Sequence, residues 1–199
     1  MTAHNSDEFA HRSDPPSVHG RRVALRPVRR QDYEYLYQLA VDPRSAFRWR
    51  LRGVTPDPRT FESSLWDQVL VQFVITRRSD DRPIGLVTCF AADMRSSVAN
   101  LAIVLEHQFT PSALAGEALF LFLDYVFELW NFRKIYAEMP EFNFSSIASG
   151  ASRWFTVEAR VPARYWMFGQ YWDNIILSID RARWPEIASK FGNAVRSPV

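Results

Sequence analysis

The clearest pattern of apolar and polar positions lies in residues 100–130. Residues 101–105 form an uninterrupted apolar run, which is typical of a strand covered on both faces. Thr110 and Pro111 follow, and both favour the start of a helix. Threonine can cap free backbone N–H groups, and proline suits the first helical position. The pattern predicts a buried strand, a short loop and a helix that begins near Pro111.

Residues 113–130 continue this helix, because most of them are good or tolerable helix formers. Glu117, Asp124 and Glu128 fall on one side of it, and apolar side chains surround the rest. A strand that runs into a helix N-terminus leaves unpaired backbone donors and a partial positive charge at the junction. The junction is therefore predicted to suit an anionic group such as a phosphate.

Shorter patterns predict the remaining strands and helices. Strands are predicted at 23–28, 72–76, 83–90, 133–139, 165–168 and 171–179. Helices are predicted at 33–40 with Asp32 as cap, from Asp57 or Thr60 to Val69, and from Asn143 or Ser145 to about Trp154. The order of these elements predicts an α+β (α/β three-layer) domain, with helices on both faces of a sheet.

The two ends of the chain are predicted to lie outside this domain. Residues 1–19 are polar, contain a Pro-Pro pair and show no periodicity, so we expect a disordered tail. Residues 185–199 are expected to form a polar C-terminal tail. The region 20–184 is large enough for one domain with a hydrophobic core.

Composition indicates a globular chain with many aromatic residues. Of its 199 residues, 47% are hydrophobic and 15% aromatic, and the net charge of +2 is too small to argue for nucleic acid. Nearly all basic residues are arginine, which reflects either coding bias or the binding of phosphate or carboxylate. Segment 44–59 mixes arginines with Phe47 and Trp49, and could contact a polyanion or form a loop with its aromatic residues packed inward.

Several classes of protein are not indicated by the sequence. The single cysteine, Cys89, cannot form an internal disulfide, and it is expected to be a buried thiol in a cytoplasmic protein. No signal peptide is visible, and the helix at 113–130 carries too many acidic residues for a membrane span. Histidine and cysteine are too few at ligand spacing for a zinc site, so no metal is predicted.

Six short motifs together resemble the GNAT N-acetyltransferase superfamily, in particular the branch that includes the ribosomal-protein N-terminal acetyltransferases. The motifs are Leu25-Arg26-Pro27 with Asp32, Pro83-Ile84-Gly85, Glu117-Ala118-Leu119 with Asp124-Tyr125-Val126-Phe127, Asn143-Phe144-Ser145-Ser146, Phe155-Thr156-Val157-Glu158 and Tyr171-Trp172-Asp173. The resemblance covers about residues 20–184. It implies the GNAT fold, a mixed and mostly antiparallel sheet in which two central strands splay apart.

The resemblance also implies acyl transfer from acetyl-CoA or another acyl-CoA to the amine of a small molecule or peptide. The pantetheine arm would lie between the splayed strands and bond to the backbone from Val104 through Leu105 to Glu106. The residues implied to hold the rest of the cofactor are Gln108, Ser112, Ala113 and Leu114 at the pyrophosphate, and Asn143.

Two residues are implied to carry the chemistry. Ser146 would protonate the leaving thiolate, and Glu106, with His107 as a possible helper, would accept a proton from the amine directly or through water. Simpler interpretations stay open, since Asn143 can cap a helix, Ser146 can lie in its first turn, and Glu106 can be an exposed charge at a strand end.

The cofactor loop departs from the family pattern Gln/Arg-x-x-Gly-x-Gly/Ala. Residues 108–113 read QFTPSA, with Pro111 in place of a glycine. Proline removes one N–H donor and fixes φ near −65°. The loss of a charge-assisted hydrogen bond to phosphate costs about 1.5–3 kcal/mol, so we expect weaker but not abolished binding of coenzyme A.

This departure leaves two alternatives. The same fold could use a carrier protein or an aminoacyl-tRNA as donor, with segment 44–59 contacting the tRNA, or the protein could be a non-catalytic binding protein. Aromatic residues of the last hairpin could line the acceptor or acyl pocket, or pack in the core or in a homodimer. These residues are Tyr165, Trp166, Phe168, Tyr171 and Trp172.

Overall fold

A computed structural model describes residues 17–195, apart from 51, 110–111, 146 and 148–152. Eight strands form one sheet in the order β1-β2-β3-β4-β5-β6-β8-β7, and every neighbouring pair is antiparallel except β5 and β6, which are parallel. The strands are β1 (Val18–His19), β2 (Val23–Pro27), β3 (Val69–Arg77), β4 (Arg82–Asp93), β5 (Val98–Leu105), β6 (Lys134–Pro140), β7 (Thr156–Met167) and β8 (Gln170–Asp180).

Helices cover both faces of this sheet, as the sequence predicts. They are α1 (Tyr33–Val41), α2 (Pro58–Ser64), α3 (Ala113–Leu129), α4 (Glu141–Ser145) and α5 (Trp184–Val195). Helices α3 and α5 pack on one face around a core that includes Phe120, Phe122 and Ile187. Helices α1 and α2 pack on the other face around Leu36 and Phe61. The three-layer α+β architecture is thereby confirmed.

Two buried carboxylates, which apolar periodicity does not reveal, fix the position of strand β2. Glu117 of α3 is 5% exposed, and its Oε1 accepts hydrogen bonds from the backbone N–H groups of Arg22 (2.7 Å) and Val23 (3.2 Å). Asp32 precedes α1 but makes no side-chain cap. Its carboxylate instead accepts two hydrogen bonds from the Arg26 guanidinium, both at 2.7 Å.

Several predicted helix boundaries are wrong. Asp57 caps helix α2, which begins at Pro58 and ends at Ser64, and Val69 already belongs to β3. The cap of α3 is Ser112, whose Oγ accepts a hydrogen bond from the N–H of Ala115, whereas Thr110 and Pro111 lie outside the described residues. Helix α4 begins at Glu141, directly after β6.

Residues 184–195 form a helix where the sequence analysis predicts a tail. Trp184, Ile187 and Phe191 recur at helical spacing and face α3, so a narrow apolar stripe is enough to dock this mostly polar segment. At the other end, Val18 and His19 pair with β2, so ordered structure also begins earlier than residue 20. None of the helices in the described ranges is long and apolar enough to cross a membrane.

Candidate functional site

Strands β5 and β6 pair over three positions and then diverge. The paired residues are Val98 with Lys134, Ala99 with Ile135 and Asn100 with Tyr136. Beyond Asn100, β5 still pairs with β4 as far as Leu105, so its other edge faces a gap in the sheet. The sequence analysis expects such a gap between these two strands.

Gly85 allows β4 and β5 to lie close together beside the gap. A Cβ atom at this position would collide with the carbonyl oxygen of Val104 and would lie 3.0 Å from the Cα atom of Leu105. On the far side, β6 pairs with β8 as far as Pro140 and Asn174. Each diverging strand is therefore held by its outer neighbour, which keeps the gap open.

A cavity of about 790 Å³ occupies the gap and opens on both faces of the sheet. The half on the α3 face is mostly apolar. It is lined by Leu101, Ile103, Leu105, Ser112, Ala115, Gly116, Leu119, Ala137, Met139, Trp154, Phe155, Leu177 and Phe191. Phe191 belongs to α5, so the helix that the sequence analysis misses contributes a wall of the site.

The half on the α1 face carries the charged side chains of Arg48, Arg50, Arg52 and Glu138. It is formed by the turn that follows α1 and by the side chains of β5 and β6 that point to this face. The charged residues that line the cavity are Arg48, Arg50, Arg52, Arg153 and Glu138. Glu138 lies two positions beyond the last residue of β6 that pairs with β5, level with Ala102 across the gap.

The residues predicted to hold the cofactor lie around this cavity to different degrees. Leu105, Ser112 and Asn143 line it. Val104 is buried on the α1 face, where it packs in the core with α1 and α2. Gln108 is exposed and donates a hydrogen bond of 2.8 Å to Glu106, outside the cavity wall.

The first turn of α3 is the other part of the predicted cofactor site. Ala113 is exposed, and Leu114 packs at the edge of the core. Among the first N–H groups of the helix, that of Ala115 is taken by the Ser112 side chain. A 17-residue helix leaves its first four N–H groups without intrahelical partners and carries partial positive charge at this end.

Glu106 does not line the cavity, although it lies directly after β5. Its Oε2 accepts a hydrogen bond of 2.7 Å from Arg82 in an ion pair. The Tyr35 hydroxyl of α1 is buried close to Glu106, and no atom of the described residues forms a hydrogen bond of good geometry with it. Burial, reinforced by the charge of Glu106, raises the pKa of Tyr35.

Ser146, the predicted acid, lies outside the described residues.

Sequence reasoning misses Glu138 as a site residue. It accepts a hydrogen bond from Asn174 Nδ2 at 3.1 Å and lies near the Tyr165 phenol. Burial raises the pKa of Tyr165, with opposing contributions from Arg52, which lowers it, and Glu138, which raises it. The alternation of side chains along β6 predicts that Glu138 points to the face opposite to that of Ala137 and Met139. Only the β5–β6 register shows that Glu138 borders the gap.

Aromatic side chains join the arginine-rich turn to α4 and to the tip of the last hairpin. Phe47 packs against Phe142 (ring centroids 5.3 Å apart) and Phe168 (5.6 Å), and Phe142 packs against Trp172 (4.9 Å). The Arg52 guanidinium lies 4.5 Å from the centroid of the Tyr165 ring. None of the five hairpin aromatics predicted to line the pocket is among the residues that line this cavity, although Phe168 contacts Phe47, which does line it.

The residues present fit an acyl-coenzyme A donor. The β5 edge offers backbone groups along the gap, the α3 half is apolar enough for a pantetheine arm, and a helix N-terminus lies at its end. The described residues bring together no group of three or more His, Cys, Asp or Glu side chains that could hold a metal ion.

Comparisons with known proteins agree with this geometry. Residues 22–149 match the family model described as an acetyltransferase (GNAT) domain. The chain is 27% identical over 167 residues to the spermidine N(1)-acetyltransferase of Escherichia coli K12, a match that covers 82% of this chain and 88% of the relative.

Solved structures show the same fold. The spermidine N-acetyltransferase of Vibrio cholerae in complex with CoA and spermine superposes with a TM-score of 0.71 at 18% identity, over 82% of this chain and 98% of the other. A GCN5-related N-acetyltransferase from Brucella melitensis gives a TM-score of 0.68 at 21% identity, over 91% and 86%.

These comparisons do not support the narrower resemblance to the ribosomal-protein branch, because the curated relatives are polyamine acetyltransferases. The family itself is established by a match over more than half of the chain. This chain belongs to the GNAT acetyltransferase family and is an acyltransferase that acts on an amine.

Proposed function

We propose that this enzyme transfers an acetyl group from acetyl-CoA to the primary amine of a small molecule. The observation that carries the proposal is the cavity between β5 and β6, which connects an apolar half beside α3 with a charged half beside α1. A donor in the first half and an amine in the second would meet inside the sheet, where both are held in a fixed orientation.

The donor supplies a thioester, and the chain supplies binding and proton transfer. Ser112 and the first turn of α3 would hold the pyrophosphate through backbone N–H groups and the helix dipole. The free edge of β5 from Leu101 to Leu105 would bond the pantetheine amides. Pro111 removes one donor from this loop, and the remaining N–H groups of the helix end compensate in part.

Two carboxylates compete for the role of proton acceptor. Glu138 lines the cavity on the face where the amine would enter, so it can bind the ammonium group and take a proton from it. Glu106 is paired with Arg82 outside the cavity wall, and it would have to act through water. We propose Glu138 as the direct acceptor, with Glu106 as the alternative and Ser146 as the candidate acid.

The curated relatives provide a second candidate acceptor. Proteins that match most of this chain at 27% identity act on spermidine, so a polyamine belongs in any acceptor panel. Peptide amines belong there too. A carrier protein or an aminoacyl-tRNA is the alternative donor, for which segment 44–59 was the predicted contact.

Calorimetric titration with acetyl-CoA and an assay of thiol release with a panel of amines test the proposal together. Binding of acetyl-CoA, with thiol release that depends on an added amine, is the expected result. If acetyl-CoA does not bind but the enzyme turns over an acylated carrier protein or an aminoacyl-tRNA, that molecule is the donor in place of acetyl-CoA. Absence of binding and of turnover on every donor would contradict the proposal.

A further inference from the structure

The cavity has a strongly positive lining, and Arg48, Arg50 and Arg52 lie in its acceptor half. Four arginines and one glutamate are the charged residues that line the cavity in the part of the chain that the structure describes. Arg48 and Arg50 also border a small depression over Ala102 and Val104, whose side chains lie on the α1 face. These two arginines are thus separated by the sheet from Ser112 and the start of α3.

Among the described residues, the hydrogen bonds donated by the Arg48 and Arg50 guanidinium groups go to uncharged oxygen atoms. Arg48 donates from Nε to Asn143 Oδ1 at 3.2 Å and from Nη1 to the Arg44 carbonyl at 3.2 Å. Arg50 donates to the backbone carbonyls of Ser64 and Asp67. No carboxylate oxygen of the described residues forms an ion pair with either of them.

Partial burial makes this arrangement costly without an anion. Burial lowers the pKa of Arg48, and it lowers that of Arg50 despite an opposing attraction from Asp67. Arginine nevertheless stays protonated in proteins, so these groups remain positive charges with incomplete solvation. A ligand oxyanion would supply the missing partner in the planar, two-pronged geometry that guanidinium groups favour.

A neighbouring arginine in the same segment shows the contrast. Arg44 points to solvent, with its side chain 70% exposed, and forms an ion pair with Asp42 at 3.0 Å. Arg52 instead faces the cavity and lies over the Tyr165 ring. In segment 44–59, Arg44 is therefore solvated and ion-paired, whereas Arg48, Arg50 and Arg52 lie at the cavity without an ion pair to a carboxylate of the described residues.

From this distribution, and resting on the proposed function, we propose that the acceptor carries an oxyanion, a carboxylate or phosphate, beside its amine. Arg48, Arg50 and Arg52 would bind the oxyanion, and Glu138 would bind the ammonium group at the gap. Two or three positive charges on a polyamine would meet like charges in this half of the cavity, so spermidine would be a poor acceptor.

Four amines of similar length test this proposal: butylamine, 1,4-diaminobutane, 4-aminobutanoate and 3-aminopropyl phosphate, with spermidine added. Binding to the enzyme–CoA complex is measured by calorimetry, and turnover with acetyl-CoA by thiol release. At least one anionic amine should exceed butylamine by about tenfold to a hundredfold in affinity and in kcat/KM. The diamine and spermidine should fall below butylamine.

Variants assign the preference to the arginines. Arg48→Gln and Arg52→Gln should each reduce the preference for the anionic amine by about tenfold, Arg48→Lys should retain part of it, and Arg44→Gln should leave it unchanged. Because Arg48 also bonds Asn143, the Arg52 variant provides a test that does not disturb that contact. Unfolding temperatures identify any variant that fails to fold.

The outcomes separate this inference from the proposed function. Preferential binding of an anionic amine without turnover would retain the inference and contradict the function. Turnover with equal use of all amines, preference for spermidine, or no binding of either anionic amine would overturn the inference. A rise in the KM for acetyl-CoA in place of the amine would assign the arginines to donor phosphates and would also overturn it.

Discussion

Arg48 Nε donates a hydrogen bond to Asn143 Oδ1 over 3.2 Å and so connects two walls of the cavity. Arg48 lies on the turn after α1, and Asn143 lies on α4 after β6. The two residues are 95 positions apart in sequence. Their contact fixes the width of the site where the donor and acceptor halves meet.

Asn143→Ala should raise the KM for the amine by about tenfold, because a hydrogen bond to a charged donor contributes about 1.5–3 kcal/mol. Steady-state kinetics with both substrates would measure the change. Asn131→Ala, an exposed position outside the site, is the matched control. A rise confined to the KM for acetyl-CoA would instead assign Asn143 to the donor, which is the role implied by the family resemblance.

Glu138→Gln should lower kcat by about a hundredfold, because general base catalysis typically contributes that much or more. Glutamine keeps the size and the hydrogen bond from Asn174 but cannot accept the proton. The control is Glu106→Gln, which removes the ion-pair partner of Arg82. Since Glu138 is the proposed proton acceptor, this variant should change kcat by less than about threefold. The reverse ranking of the two variants would transfer the role to Glu106.

Gly85→Ala should lower the free energy of unfolding by about 1–3 kcal/mol, because the added methyl group meets the Val104 carbonyl and forces β4 and β5 apart. Gly116→Ala is the control in the same fold. Apart from the backbone of α3 itself, no atom of the described residues lies within 4 Å of a Cβ at Gly116, and alanine favours helix α3 by about 0.5–1 kcal/mol. Urea denaturation should therefore show a lower free energy of unfolding for Gly85→Ala and a higher one for Gly116→Ala. Equal changes in the two variants would contradict the close approach of β4 and β5.

Asp32→Asn should lower the free energy of unfolding by about 3 kcal/mol at neutral pH, because it leaves the Arg26 guanidinium without its partner. Burial raises the pKa of Asp32, but hydrogen bonds from Arg26 and the Arg29 backbone outweigh it, and the net pKa is lowered. The folded pKa is then below the unfolded one. The stabilisation is complete above about pH 4 and is lost as the pH falls through the folded pKa.

Denaturation curves between neutral and acidic pH would measure this effect. The difference between the wild-type protein and Asp32→Asn should narrow as the pH falls below about 4. Asp42→Asn, which breaks the more exposed pair with Arg44, should cost less than about 1 kcal/mol at neutral pH. A difference that stays constant down to low pH would show that the ionised carboxylate does not carry the stabilisation.

Local patterns were sufficient for the main elements and for the family. The apolar run at 101–105 and the helix formers after it predict β5 and α3, because each pattern involves neighbours in sequence. The stripe of Trp184, Ile187 and Phe191 is narrower, and the polar residues between them conceal it. Serine and threonine are both favourable N-cap residues, so the sequence alone does not distinguish Ser112 from Thr110 as the cap of α3.

The acceptor side depends on relations that no local pattern contains. Glu138 borders the gap because β5 and β6 stop pairing after Asn100, and that register is set by strands β4 and β8 on either side. Arg48 and Arg44 look alike in sequence, yet one lines the cavity and the other pairs with Asp42 in solvent. Only the folded turn distinguishes them.

The last helix has a consequence for work with shortened forms of the chain. Phe191 closes one side of the donor half, and the Val195 carbonyl accepts a hydrogen bond from Arg21 at 3.0 Å. Removing the residues after Asp180 would therefore open this half of the cavity to water and would remove a backbone contact of the turn between β1 and β2 at the same time.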